Sequence, residues 1–191
     1  MDDIVKQALA KWPNVPSCTG WLMLDRRGNW RMRDEAAQAS GSPGVAIRHE
    51  ALLGFINRNY EADERGQWFF QNGPQRVYVE LAYTPWVVRL SAAADGSLAL
   101  HDQGGGAFEP AAVFVDEDGG VLFADRSEPA RIATLHDHDL ELFSDHATLA
   151  GDDTLSGEFH WNDQVALPLQ SVRRDEVAAR FGFVASPAAG V

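Results

Sequence analysis

The strongest constraint on the fold is a repeated turn. Residues 25–30 read Asp-Arg-Arg-Gly-Asn-Trp, residues 63–68 read Asp-Glu-Arg-Gly-Gln-Trp, and residues 116–121 are a degraded copy, Asp-Glu-Asp-Gly-Gly-Val. Asp at the first position and Gly at the fourth fit a type I turn followed by a left-handed residue, which is the common three-residue hairpin loop. Apolar residues flank each copy. Each copy therefore predicts an antiparallel hairpin.

Charge divides the chain into two unequal halves. Residues 1–92 hold 11 Lys and Arg against 10 Asp and Glu, whereas residues 93–191 hold 5 against 18. A glycine run, residues 104–106, interrupts the chain close to this change. We therefore predict an N-terminal domain over 1–92, a linker region over 93–107 and an acidic β-rich domain over 108–191. The fold class expected is α+β, with two β-rich halves built from repeated antiparallel hairpins and packed helices.

Apolar spacing assigns the elements of the first half. Spacing of three and four residues predicts helices over 2–12 and 47–60, and a Gly, Ser and Pro-rich stretch over 37–46 predicts a loop. Three runs of β-forming residues after the second turn copy predict a β-meander, at 67–71, 76–82 and 86–90. The first half should thus be a helix, a hairpin, a second helix and a meander.

The same criteria assign the acidic half. They predict a hairpin over 112–125, strands at 131–135 and 140–143, and a hairpin that joins 155–161 to 164–169. The segment 140–143 also suits a helical turn, because its apolar residues are three apart. A closing helix should run from Ser171 to Gly182, and the tail 185–191 should be disordered.

Composition excludes several classes of protein. No stretch of the 191 residues approaches the ~20 apolar residues that a membrane span requires, so no membrane partner is expected. A net charge of −12 repels phosphate backbones, which argues against nucleic acid. The single cysteine and the acidic start favour a cytoplasmic protein. No dinucleotide or phosphate-loop motif is present, and no cofactor is predicted.

Aromatic and charged residues of the first half are the candidates for ligand binding. Most of the six tryptophans should be core, because burying an aromatic ring removes ~150–250 Å² from water. Four arginines surround Trp30, however, and alternation turns two of them outward. They could bind an anion or form a solvated strand face. The candidate ligand-binding residues are Trp30, Arg31, Arg33, Tyr78, Glu80 and Trp86.

The most metal-like cluster lies in the second half. Residues 136–139 read His-Asp-His-Asp, and a further histidine follows at His146. Imidazole and carboxylate groups together suit zinc, manganese or iron. No zinc-protease motif or cysteine pair accompanies them. His136, Asp137, His138 and His146 are therefore weak candidates for a metal site, and the alternative is a polar loop in which aspartates cap a turn.

Part of the first half resembles a known family. The first turn copy, the apolar helix near residues 52–55, the second turn copy, the strand Val77-Tyr78-Val79-Glu80 and the segment 84–86 are similar to a proteobacterial family of unknown function. The likeness covers roughly residues 20–90. It implies a two-part α+β protein with repeated motifs and a role in sensing or signal transduction. It implies no catalytic residue.

Three hypotheses about function follow. The leading one is a non-enzymatic module that binds a small molecule or a protein partner, in sensing or signal transduction. The second is a metal-dependent hydrolase that uses the region from His136 to His146. The third is a docking module whose acidic half binds a basic protein.

Overall fold

The computed structural model describes residues 1–149 and 157–187. The chain forms two units. Unit 1 comprises Met1–Pro85 and the C-terminal segment that begins at Gly182, and unit 2 is Trp86–Phe181. Each unit combines one sheet with short helices, so the predicted α+β class is confirmed.

The described residues of unit 1 form a six-stranded sheet with the order β3-β2-β1-β6-β5-β4. Hairpins are antiparallel, and the central pair β1–β6 is parallel. The strands are β1 (Cys18–Leu24), β2 (Trp30–Met32), β3 (Val45–Ala46), β4 (Tyr60–Ala62), β5 (Trp68–Asn72) and β6 (Gln75–Leu81). The helices are α1 (Asp3–Lys11), α2 (Glu35–Ser40) and α3 (Glu50–Arg58).

Aromatic rings form much of the unit 1 core. The Trp30 and Tyr60 rings meet edge to face at 4.9 Å, and Phe55 of α3 meets Phe70 of β5 at 5.4 Å. Such edge-to-face pairs add to the free energy of burial. Ring contacts therefore hold α3 to one face of the sheet. The apolar stripe of this helix is the side that packs there.

The described residues of unit 2 form an eight-stranded sheet with the order β12-β13-β14-β9-β10-β11-β7-β8. Its strands are β7 (Trp86–Ala92), β8 (Leu98–Asp102), β9 (Pro110–Asp116), β10 (Val121–Asp125), β11 (Ile132–Leu135), β12 (Ala147–Leu149), β13 (Gly157–Asn162) and β14 (Val165–Val172). Its helices are α4 (Leu140–Asp145), α5 (Val177–Arg180) and two 3₁₀ turns, Asp137–Asp139 and Arg174–Glu176. The core contains Phe123, Phe143 and Phe159 in mutual ring contact.

The division between the units differs from the predicted one. The predicted boundary lies after residue 92, but β7 pairs with β11 and β8 of unit 2. The predicted linker 93–107 contains β8 and its flanking turns. The predicted meander therefore ends at β6. Alternation along a strand identifies the strand but carries no information about a partner far along the chain.

Two local predictions also differ from the structure, and a third had two alternatives. The predicted loop 37–46 begins inside α2, which Asp34 caps by accepting the Ala37 N–H at 2.8 Å. Of the two alternatives for 140–143, a strand or a helical turn, the helical one is present as part of α4. In the closing region, β14 runs through Val172 and the α-helix begins only at Val177. A capping bond explains the first case, whereas α4 and α5 lack a side-chain cap and each follows directly on a 3₁₀ turn.

The C-terminal segment is bonded to unit 1 at its start. The Val184 N–H donates to the Gly66 carbonyl at 2.9 Å, and the Leu81 N–H donates to the Ala185 carbonyl at 2.8 Å. The predicted disorder is thus wrong at its start: β6 donates a backbone hydrogen bond to Ala185, and the structure also describes residues 186–187. The rest of that prediction, over 188–191, and the predicted strand residues 155–156 lie outside the described residues. No described helix is long and apolar enough to cross a membrane.

Candidate functional site

Four turns in the described part of the chain share one hydrogen-bond pattern. They begin at Asp25, Asp63, Asp102 and Asp116, and in each the Oδ1 atom accepts the backbone N–H groups two and four residues later, at 2.6–3.0 Å. The glycine at the fourth position has φ between +74° and +83°. The run 104–106, predicted as a linker, is thus a further copy of the turn. One carboxylate oxygen is used by the turn in every copy.

The second oxygen of the aspartate distinguishes the copies. At the first turn, Asp25 Oδ2 accepts from the Arg31 guanidinium at 3.1 Å. At the second turn, Asp63 Oδ2 accepts from the Tyr78 hydroxyl at 3.2 Å. Tyr78 lies on β6, two strands away from β4, which leads into the turn. This bond therefore ties the turn to a strand outside its own hairpin. At this copy the hydrogen bond to the second oxygen comes from a neutral hydroxyl, and the nearest guanidinium, that of Arg65, lies 3.7 Å away.

A cleft of about 440 Å³ lies on unit 1 beside the turn at Asp63. Strand pairing sets Glu61 opposite Phe69 and Phe69 opposite Tyr78, and directly opposed residues share one face of a sheet. These three residues line the cleft, together with the turn residues 62–65 and Arg76. We call this site the Asp63 cleft. Its volume is in the range of ligand sites, ~300–1,000 Å³.

Asp63 is held in its charged form. Burial raises the pKa of its carboxyl. Hydrogen bonds from the Gln67 and Arg65 backbone and from the Tyr78 hydroxyl, together with the Arg65 charge, lower the pKa by more than burial raises it. The resulting pKa is below the ordinary value of an aspartate. Asp63 is therefore ionised at neutral pH, and its hydrogen bonds hold the rim of the cleft.

Two charged residues of the cleft have unused bonding capacity. The Arg76 guanidinium lies over the Phe69 ring, 4.4 Å from its centroid, and makes no ion pair with any described residue. The Glu61 Oε1 atom is shielded from water and has no hydrogen-bond partner among the described residues. A shielded carboxylate oxygen without a donor is unfavourable. A ligand with a donor group would relieve that cost.

Trp30, predicted to bind ligand, lies in the core. Its side chain is 1% exposed, and its indole Nε1 donates to the Asn57 side-chain oxygen at 2.7 Å. An indole that is buried and hydrogen-bonded in this way positions α3 against the sheet. It offers a ligand almost no surface.

Arg31 and Arg33, also predicted to bind ligand, hold the chain between α2 and β3. Arg31 donates to the Gly44 carbonyl at 2.7 Å, and Arg33 donates to the Ser42 carbonyl at 3.0 Å. Both side chains are half-buried, and these bonds attach them to the segment that leads into β3. The Arg31 Nε atom is shielded and has no hydrogen-bond partner among the described residues. Both arginines thus shape unit 1.

The remaining three ligand candidates are divided between the units. Tyr78 lines the Asp63 cleft. Glu80 is two residues further along β6 and so shares its face, but it does not line the cleft. Trp86 begins β7 of unit 2, where the Arg131 guanidinium lies 5.3 Å from its ring. One of the six predicted residues therefore belongs to the site.

The His-Asp-His-Asp segment forms a 3₁₀ turn. The His136 Nδ1 atom accepts the His138 N–H at 3.1 Å and lies 3.0 Å from Asp137 Oδ1. Asp139 accepts two bonds from Arg89, at 2.6 and 2.9 Å. Burial and the Arg89 charge lower the pKa of His136. These groups are already used in the turn and in an ion pair.

His146, the fourth metal candidate, follows α4, and its carbonyl accepts the His160 N–H at 2.8 Å. Within residues 1–149 and 157–187, no three His, Cys, Asp or Glu side chains are grouped to hold a metal ion. The geometry therefore lends no support to a metal-dependent hydrolase. Docking of a basic protein stays a prediction.

A second cleft, of about 460 Å³, lies beside α2 and the edge strand β3. Met32 and Val45 line it and are 54% and 76% exposed. Its one charged lining residue is Asp34, which is used to cap α2. This cleft offers apolar surface but few polar groups that could orient a ligand, so the Asp63 cleft is the better candidate.

Glu61, Arg65 and Arg76 line the Asp63 cleft but are absent from the sequence candidates. The turns themselves carry the missing signal. The bond from the Asp63 N–H to the Gln67 carbonyl sets the register of β4 against β5, and a tight turn at residues 73–74 sets β5 against β6. Together they place Glu61, Phe69 and Tyr78 in one row.

Comparison with known proteins gives a family but no activity. The chain belongs to the DUF2944 family, described as "Protein of unknown function (DUF2946)", whose profile matches residues 1–188. The resemblance to a family of unknown function is thus confirmed. No curated protein matches the chain.

Two solved structures of DUF1285 family proteins are similar to the chain. The one from Silicibacter pomeroyi DSS-3 matches 86% of this chain and 87% of its own, with 14% identity and a TM-score of 0.52. The one from Shewanella baltica OS155 matches 65% of this chain and 91% of its own, with 12% identity and a TM-score of 0.41. The first likeness supports a shared fold.

Proposed function

We propose that this protein is a small-molecule-binding module whose ligand site is the Asp63 cleft, and that binding serves a sensing role. The observation that carries the proposal is the shielded Oε1 atom of Glu61, which lacks a hydrogen-bond partner among the described residues of a cleft of ligand size. Native proteins pair nearly all buried polar atoms. A bound ligand that donates a hydrogen bond supplies the missing partner.

The construction of the cleft also favours binding. Its floor is made of strands, and its rim is the turn that Asp63 and Tyr78 hold together. Groups on strands and locked turns lose little conformational entropy when a ligand binds. The cleft is therefore preorganised for a small polar molecule.

Binding is favoured over catalysis because the best-ordered carboxylate is poorly suited to proton transfer. A general acid or base works best when its pKa is near the working pH. The pKa of Asp63 is instead lowered, and both of its oxygens accept hydrogen bonds from the protein. Asp63 is suited to a structural role at the rim.

A thermal-shift screen of polar metabolites tests the proposal. We expect at least one compound to raise the unfolding temperature, since a ligand at 100 times its Kd stabilises a protein by about 2.7 kcal/mol. The variant Glu61→Gln should lose most of that shift. Glu80→Gln is the control, because Glu80 lies on the same face of β6 as Tyr78 but outside the cleft, and this variant should keep the thermal shift. A flat screen, or equal losses in both variants, would refute the proposal.

A further inference from the structure

We infer that the ligand of the Asp63 cleft is a zwitterion of about amino-acid size, with an ammonium group that binds at Glu61 and a carboxylate that binds at Arg76. This inference rests on the proposed function and adds the chemical class of the ligand. It follows from the two unpaired charges of the cleft, which line the same space without forming an ion pair with each other.

Arg76 provides the anion-binding side. Its guanidinium is positioned by the Phe69 ring beneath it, and cation–π contacts of this kind leave the planar N–H donors at the edge of the group available. A guanidinium binds a carboxylate through two parallel hydrogen bonds. Arg65, the other arginine of the cleft, is 69% exposed and lies 3.7 Å from Asp63 and 2.9 Å from the Gln67 side chain. Arg76 is therefore the better anchor.

Glu61 provides the cation-binding side. It is the carboxylate nearest the floor, because it stands in the row with Phe69 and Tyr78. Asp63 is used by its turn, and Glu64 lies on the exposed turn itself. A ligand ammonium offers three donors and a positive charge. It would satisfy the Glu61 oxygen more fully than a neutral donor would.

The balance of charges disfavours a ligand of one sign. The cleft is lined by three carboxylates and two guanidinium groups. A simple anion would approach Arg76 against the repulsion of Glu61, and a simple cation would leave Arg76 without a partner. A zwitterion matches both groups at once. The cleft volume, about 440 Å³, accommodates a free amino acid.

The test is a calorimetric titration of the full chain with matched probes. The panel is the twenty protein L-amino acids, and for L-phenylalanine and L-leucine it also contains the amine and the carboxylic acid that lack the second charge: phenethylamine, 3-phenylpropionate, isopentylamine and 4-methylpentanoate. We expect at least one amino acid to bind, and we expect L-phenylalanine or L-leucine, whichever binds, to bind at least tenfold more tightly than its own amine or acid analogue.

Charge-neutral variants locate the two ends of the ligand. Glu61→Gln and Arg76→Gln should each weaken binding of the best amino acid at least tenfold, and Glu80→Gln should leave it unchanged. Circular dichroism checks that each variant is folded. Single-charge analogues that bind as tightly as the amino acid would overturn the inference and leave the proposed function standing. Absence of binding by every amino acid, when other metabolites give thermal shifts, would also overturn it. Absence of binding by every compound in both experiments would overturn both.

Discussion

The turns at Asp63 in unit 1 and Asp102 in unit 2 are the same local structure with different surroundings. In both, Oδ1 accepts two backbone N–H groups and a left-handed glycine follows. Asp63 Oδ2 meets a neutral hydroxyl beside an open cleft, whereas Asp102 Oδ2 meets the Arg131 guanidinium at 3.1 Å. The turn motif therefore defines architecture, and the surroundings of these two copies differ in the residue that contacts the second oxygen.

Arg131 closes the region around Asp102 with several further contacts. It donates to Asp125 Oδ2 at 2.6 Å and to the Ala107 carbonyl at 3.1 Å, and it lies over the Phe108 ring at 4.8 Å. The Asp102 and Asp125 side chains are 7% and 6% exposed. The Asp63 side chain is also only 10% exposed, but its cationic neighbour Arg65 is 69% exposed, and no described residue encloses this turn with as many contacts as Arg131 makes. In unit 2 the Asp102 turn is enclosed by Arg131, which we call the sealed turn, and in unit 1 the Asp63 turn forms the rim of a cleft, which we call the open turn.

Removal of the sealing cation should have the largest effect. Arg131→Ala leaves two shielded carboxylates without their counter-ion, and loss of one partner of such a buried pair costs about 3–5 kcal/mol. We expect a clear fall in the unfolding temperature of unit 2, measured by scanning calorimetry. Arg65→Ala is the matched control at the other turn and should cost under about 1 kcal/mol, because the Arg65 guanidinium is exposed and lies 3.7 Å from Asp63. Equal losses in the two variants would contradict the distinction between sealed and open turns.

Substitution of the left-handed glycines should give a second difference in stability between the Asp63 and Asp102 turns. Both Gly66→Ala and Gly105→Ala place a side chain at positive φ, which costs about 1–2 kcal/mol. At Gly66 the new methyl group would also collide with the Gly182 carbonyl, whereas at Gly105 it would meet no atom within 4 Å. We expect Gly66→Ala to be the more destabilising of the two in urea unfolding. The reverse order would mean that the C-terminal segment does not pack on the Asp63 turn.

Tyr78→Phe should have a smaller effect, confined to the Asp63 turn. The hydroxyl bond is long, at 3.2 Å, and a typical intramolecular hydrogen bond contributes about 0.5–1.5 kcal/mol. Its loss should also raise the pKa of Asp63 toward the ordinary value, because the Tyr78 hydroxyl is one of the groups that lower it. Carbon-detected NMR of the carboxyl group measures this change. An unchanged Asp63 pKa would show that the hydroxyl does not bind the carboxylate in solution.

The direction of the pH dependence follows from the same shift. A carboxyl whose pKa is lower in the folded than in the unfolded state stabilises the fold above the unfolded pKa, ~3.9 for an aspartate. That stabilisation is lost as the pH falls through the folded value. Because Tyr78→Phe narrows the difference, the stability contributed by Asp63 should be smaller at neutral pH and should be lost over a narrower acid range.

Sequence alone predicts the parts of this fold that depend on neighbouring residues. The turns at Asp25, Asp63 and Asp116 were identifiable because Asp and Gly act within five residues of each other. The pairing of β7 with β11 was not, since nothing in either strand specifies a partner 47 residues away. The closed turn at Asp102 was missed because its glycine run, residues 104–106, also fits a linker.

The site was predicted less well than the fold. The sequence predicts a ligand site at Trp30 and its neighbouring arginines because aromatic and cationic groups often bind ligands. Their roles in the structure depend instead on Asn57, Gly44 and other partners distant in the sequence. Glu61 and Arg76 have no local motif. Glu61 and Arg76 line the same cleft only because of the register of three strands, and two turns set that register. The register that the two turns imply places Glu61 in one row with Tyr78, with Phe69 between them.

The most direct test of the account is an NMR titration of ¹⁵N-labelled protein with the amino acid that binds most tightly. Amide shifts should change at residues 61–65, 69 and 76–78, which form the Asp63 cleft, and should stay constant at 101–107, around the sealed Asp102 turn. Changes centred on 101–107, or no change at the cleft under saturating ligand, would contradict the claim that the open turn is the binding site.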